Sequence, residues 1–90
     1  MNKGDLINAV AEGADVSKAQ ATDAVNTVFE SIEKSLKAGD KSSFVGFGTF
    51  SISRRAARDG RNPATGETIK IKAKNVVKFK AGKGLVDSVN

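Results

Sequence analysis

The sequence predicts an α+β fold: a helical base, a three-stranded antiparallel sheet, and one hairpin of that sheet drawn out into a long arm. Three observations predict it. Apolar residues recur at helical spacing over the first forty residues. From Ser43 onward they alternate at the strand period of two. Within that second part the turn chemistry is concentrated around the only proline, Pro63, which lies between Gly60 and Gly66. Ninety residues make one domain, near the size at which a single core is only just sufficient. With no cysteine, neither disulfides nor thiolate metal sites supplement that core, so a partner subunit is the remaining way to enlarge it.

The first helix is expected from Lys3 to Gly13. Asn2 is its N-cap with Asp5 three residues on, and Leu6, Ile7, Val10 and Ala11 form its apolar stripe. The second helix opens with a capping box, Ser17 and Gln20. Ala21, Ala24, Val25, Val28, Phe29, Ile32 and Leu36 then hold helical spacing until Gly39-Asp40 breaks it. That stripe needs a cover. Two covers fit the pattern: the sheet of the same chain, or a second copy of the chain across a two-fold axis.

Ser43 to Ile52 reads as a strand, a tight turn at Gly46-Phe47-Gly48 expected to bury Phe47, and a second strand. Three of the five phenylalanines lie in these ten residues. Gly-Phe-Gly without a following lysine-serine pair is a turn and not a phosphate loop. After the arm, Val76 to Lys80 returns to the sheet with Val77 and Phe79 on one face and Lys78 and Lys80 on the other. A short closing helix follows within residues 81–90; Gly84 weakens it, so docking must hold it. The expected organisation is a single domain, 1–90, with a helical dimerisation part (1–40), a sheet carrying the arm (41–80, arm about 53–76) and a C-terminal helix (81–90).

Charge divides the same way. Net charge is +5, but residues 1–40 carry four Lys/Arg against seven Asp/Glu, and residues 41–90 eleven against three. The arm itself, Arg54 to Lys74, holds seven cations: Arg54, Arg55, Arg58, Arg61, Lys70, Lys72 and Lys74. Its second limb alternates Ile69, Ile71 and Ala73 with those lysines. A lysine row also serves to blunt a strand edge. Arginines on the facing limb point instead to a polyanion, whose phosphates they neutralise with release of counterions. From Ser53 to Gly60 the first limb reaches roughly 25 Å at ~3.3 Å per residue, the length of a hook. Pro63, flanked by Arg61 and Asn62, fits two readings at this stage: an ordinary turn former, or a rigid apolar wedge that enters between base pairs. Lys3, Lys18, Lys80 and Lys83 are candidate secondary phosphate contacts. Lys18 and Lys83 stand at helix N-termini.

The composition points away from other classes. There is no histidine, cysteine, tyrosine or tryptophan, the carboxylates are scattered, and no metal-ligand spacing occurs, so neither catalysis, a cofactor nor a metal is expected. No apolar run approaches the ~20 residues of a membrane span, and no leader-like segment opens the chain. An intracellular, non-membrane protein is expected. RNA is a secondary partner, because the arm offers no aromatic ring for stacking on single strands.

Gly46-Phe47-Gly48-Thr49-Phe50, the run Ala57-Arg58-Asp59-Gly60-Arg61-Asn62-Pro63-Ala64-Thr65-Gly66 and Phe79-Lys80-Ala81-Gly82-Lys83, with the Met1-Asn2-Lys3 start, resemble the bacterial HU family of histone-like DNA-binding proteins. The match spans essentially the whole chain. It implies an intertwined homodimer, or a heterodimer with a close homologue, whose two arms wrap double-stranded DNA along the minor groove. It implies that Pro63 sits at a kink, and that bent, nicked or gapped duplex is preferred. Arg54, Arg55, Arg58, Arg61, Asn62, Lys70, Lys72 and Lys74 would track the groove, and Phe29, Phe47, Phe50 and Phe79 would fill the dimer core. A nucleoid location in the cytoplasm follows. Four positions depart from the family pattern: Val77 where proline is common, Val86 for a frequent lysine, an uncharged Ser53, and the acid Asp59 near the tip. A site-specific bender of the IHF type is the nearest competitor, distinguished by strong preference among linear sequences.

Overall fold

The computed structural model describes all residues, 1–90, in the order α1 (Lys3–Gly13), α2 (Lys18–Lys37), β1 (Ser42–Phe44), β2 (Gly48–Arg55), β3 (Arg58–Arg61), β4 (Thr68–Ile71), β5 (Lys74–Ala81) and α3 (Lys83–Ser88). Both helix starts form where the capping residues stand. Asn2 Oδ1 accepts from the Asp5 N–H at 2.8 Å and Asp5 accepts from the Asn2 N–H at 3.0 Å. Ser17 and Gln20 exchange the same pair of bonds at 3.1 Å each. Each box satisfies two N–H groups that a helix end otherwise leaves open.

Strands β1, β2 and β5 form an antiparallel sheet in that order, and β3 and β4 form a separate two-stranded ribbon beyond it. β1 covers only the first residues of β2, down to Phe50, so from Ser51 outward the β2–β5 ladder has two strands. Strand β5 runs unbroken through Val77, which faces Ile52; a residue with an N–H at this position lets the ladder continue.

Helix α3 is held by the β1–β2 turn, as its glycine required. Leu85 donates its N–H to the Gly46 carbonyl at 2.9 Å, and Gly82 donates to the Phe47 carbonyl at 2.8 Å. A Cβ on Gly84 would meet the Gly46 oxygen at 2.8 Å. Gly84 is thus a site of close backbone approach, although it weakens the helix locally. Gly84→Val is expected to undock α3 and lower stability by about 1–3 kcal/mol, read as a fall in the urea midpoint.

The apolar core of the single chain is small. Ala21, Val25 and Leu36 are its buried members, while Phe29, Phe47 and Phe79 remain 48%, 51% and 44% exposed. The expectation that the turn buries Phe47 is therefore corrected for the single chain: the turn forms, but it projects the ring outward. The ring pairs with Phe79 at a centroid distance of 5.8 Å. Phe50 lies 4.7 Å from the same Phe79 ring. Phe29 stands apart from this cluster, lining a groove between α1 and α2 with Leu6, Val10, Val25 and Val28. The molecule measures 58 × 30 × 28 Å, and its radius of gyration is 18.8 Å. A compact chain of this length has about 12 Å, so the arm carries much of the mass away from the body.

Candidate nucleic-acid interface

Register decides which side chains share a face, because residues directly opposite in an antiparallel ladder project to the same side. In the sheet, Phe50 faces Phe79 and Ile52 faces Val77. This side turns toward α2, where Ile32 and Leu36 line a groove with Phe50, Ile52 and Val77. The other side carries Thr49 with Lys80, Ser51 with Lys78, Ser53 with Val76 and Arg55 with Lys74. Lys74, Lys78, Lys80 and Arg55 thus form a cationic outer face. Lys78 joins the candidates here. Its alternation with Lys80 is the signal for it in the sequence, and Lys74 follows at the same period, but β2 has to be placed beside β5 before Arg55 extends the same row. Arg54, opposite Asn75, lies on the α2 side.

Farther out, Arg58 faces Ile71, Asp59 faces Lys70, Gly60 faces Ile69 and Arg61 faces Thr68. The two paired sections keep one register, since Arg55 opposes Lys74 and Arg58 opposes Ile71. Between them Ala56, Ala57, Lys72 and Ala73 belong to no strand, and none of the four makes a backbone hydrogen bond.

The tip is a closed turn. Asn62 donates its N–H to the Glu67 carbonyl at 2.8 Å, and Gly66, at φ 73°, donates to the Asn62 carbonyl at 2.7 Å. The Asn62 Oδ1 accepts from the Ala64 N–H at 2.9 Å. Asn62 therefore spends its side-chain oxygen on the turn, which leaves its amide NH₂ as the group free for a ligand. Pro63 stands exposed on the outside of this turn. Its ring has no N–H to leave unpaired, and the turn that holds it is closed by these bonds and by the Glu67 N–H to Thr65 Oγ1 bond at 3.3 Å.

The only ion pair in the molecule joins Lys37 and Glu33 on α2 at 3.2 Å. No arm cation is neutralised by a carboxylate, even though Asp59 lies across from Lys70. Lys3, Lys18 and Lys83 are exposed first residues of α1, α2 and α3. Lys3 and Lys18 belong to the helical part, away from the arm in sequence and in secondary structure. No group of acidic residues is arranged to hold a metal ion, and no helix is long and apolar enough to cross a membrane.

Comparison with known proteins gives concordant results. A family model described as bacterial DNA-binding protein matches residues 1–90. The chain is 58% identical over 89 residues to DNA-binding protein HU of Staphylococcus aureus, covering 99% of each chain. It is 54% identical over 90 residues to DNA-binding protein HRL18 of Rhizobium leguminosarum, covering 100% of this chain and 99% of that one. Among solved structures it is similar to an HU–DNA cocrystal structure from Anabaena, with a TM-score of 0.90, 46% identity, and coverage of 99% of this chain and 97% of that one. HU from Thermotoga maritima matches with a TM-score of 0.69 and 30% identity over the full length of both.

Proposed function

The chain belongs to the bacterial DNA-binding protein family, and on that premise we propose that it is a histone-like, nucleoid-associated architectural protein. It binds double-stranded DNA with little base specificity, lays its arms in the minor groove, and bends and compacts the duplex. The observation that carries this reading is the arm: seven cations on a narrow projecting ribbon, none paired with an acid. Such a surface obtains its binding energy from phosphate neutralisation and from the deformability of the DNA, not from base edges. The Anabaena cocrystal shows a protein of this shape with DNA, which supports the same partner here.

The working form in this proposal is a two-fold dimer, either of one chain or of two close homologues. The single chain exposes 7311 Å². A compact monomer of 9.4 kDa exposes about 5,000 Å². Part of that excess is the arm, and part is the uncovered apolar surface of Val28, Phe29, Phe44, Phe47 and Phe79. Two chains that shield these groups from each other form an interface of the obligate kind, which buries about 2,000 Å² or more. Two arms then clamp one duplex from both sides. Binding to DNA places the protein at the nucleoid.

Pro63 is the wedge in this mechanism, and Arg61 with the Asn62 amide reaches the groove floor beside it. A central gap weakens stacking and lowers the cost of a kink, so gapped duplex is expected to compete about tenfold or more better than intact duplex, about 1.4 kcal/mol. Pro63→Ala is expected to shrink that preference while leaving the salt dependence in place. Equal binding of the two duplexes by the parent protein removes the wedge and leaves an electrostatic strap.

A further inference from the structure

At the base of the arm a hollow of about 340 Å³ is lined by Arg55, Ala56, Arg58, Ile71, Lys72, Lys74 and Val76. Its walls carry four cations and no acid. A flat ladder places Arg55 and Arg58, three residues apart, on opposite faces. Here both line one hollow, together with their cross-strand neighbours Lys74 and Ile71. The unpaired step at Ala56-Ala57 and Lys72-Ala73 is where the ribbon turns enough to bring them together. Of the four residues in that step, Ala56 and Lys72 line the hollow, and the backbone N–H of each has no backbone partner. Cations, open N–H groups and a concave surface in one place are the components of an anion cradle. The volume lies at the lower end of the ~300–1,000 Å³ range of small-molecule clefts, which is ample for several linked phosphates.

From this juxtaposition we infer that the hollow binds a compact polyphosphate, and that this ligand competes with DNA for the arm. Four positive charges match the three to four negative charges of a triphosphate chain better than the two of a single phosphate. The chemistry is shared by inorganic polyphosphate and by the triphosphate end of a nucleotide. Ala56, Ile71 and Val76 supply an apolar wall that only the nucleotide uses. The competition rests on the duplex-binding function proposed above; the binding site does not.

The test is a titration of the full-length protein with inorganic tripolyphosphate, followed by amide NMR spectra at constant ionic strength with sulfate as the balancing salt. Saturable shifts are expected at the amides from Arg55 to Arg58 and from Ile71 to Val76. The double variant Arg55→Gln, Lys72→Gln is expected to weaken binding about tenfold or more, as the loss of two charge-assisted contacts does. Lys34→Gln with Lys41→Gln removes the same charge elsewhere and is expected to leave the affinity within about twofold, the scale of weak, screened surface effects. Shifts spread evenly over Lys3, Lys18 and Lys34, or equal weakening by both double variants, overturn the site. Tighter binding of a nucleoside triphosphate than of tripolyphosphate assigns the apolar wall to a base; equal binding means that only the phosphate chain is read. In a second arm, tripolyphosphate is added to protein on labelled gapped duplex, and release of the duplex is expected. A ligand that shifts the hollow's amides yet leaves the duplex bound overturns the competition alone. Failure of the duplex to bind at all overturns the function, while the spectra still decide the site.

Discussion

Phe79→Ala is expected to abolish the dimer and unfold the protein at micromolar concentration. The Phe79 ring is the hinge of the phenylalanine cluster, 4.7 Å from Phe50 and 5.8 Å from Phe47, tilted by 47° and 57° to them. Tilted aromatic pairs at these separations add to their simple burial. In the single chain Phe79 is 44% exposed, so only the partner chain completes its burial in the proposed dimer. Removing a buried phenylalanine costs about 3–5 kcal/mol, and a two-fold dimer loses two. The whole stability of a small domain is about 5–15 kcal/mol, so the substitution removes a large part of it. Sedimentation and urea melts at several protein concentrations read the outcome. The parent is expected to melt at a midpoint that rises with concentration, as a folded dimer does, and the variant to be largely unfolded without denaturant. A variant that remains dimeric with an unchanged midpoint excludes Phe79 from the interface.

Duplex affinity is expected to fall by about 10³–10⁵ between ~50 and ~200 mM salt, the response of a protein that neutralises six to ten phosphates. The arms of a dimer carry fourteen cations, seven on each, which is enough to supply those contacts without the body. Arg58→Gln with Arg61→Gln removes two cations from each arm. If all four touch phosphate, the slope of log affinity against log salt flattens by about 3 to 4, since each contact contributes about 0.9. Both residues are exposed, and neither is in an ion pair, so the fold is expected to survive the change. A titration of labelled duplex at five salt concentrations measures both quantities. An unchanged slope moves the phosphate contacts off the tip and onto the outer face formed by Arg55, Lys74, Lys78 and Lys80.

The helix starts, the turn at the tip and the cationic composition of the arm are legible in the sequence. Asn2 with Asp5 and Ser17 with Gln20 mark the helix starts because capping is local chemistry, complete within four residues. Alternation of Ile69 and Ile71 with Lys70 marks a strand that forms, although the same alternation runs on through Lys72 and Ala73, where the strand is interrupted. Pro63 between two glycines marks the tip, since turn preference is also local. The need for docking at Gly84 was legible too, although its dock on the Gly46 carbonyl was not.

Tertiary structure decided what depends on two segments at once. Period two says that Lys74 and Lys80 share a face of their own strand, but only the β2–β5 register puts Arg55 on that face and Arg54 on the other. The interruption at Ala56-Ala57 and Lys72-Ala73 breaks no sequence pattern, yet it brings Arg55 and Arg58 into one hollow. Asn62 has two polar groups, and only the turn geometry shows that its oxygen is bonded to the Ala64 N–H while its NH₂ stays open. Phe47 reads as core because it is large and apolar, yet it is half exposed in the single chain even though α3 docks on the same turn. Burial depends on what lies opposite a side chain, and hydrophobicity alone does not say whether that neighbour comes from the same chain or from another.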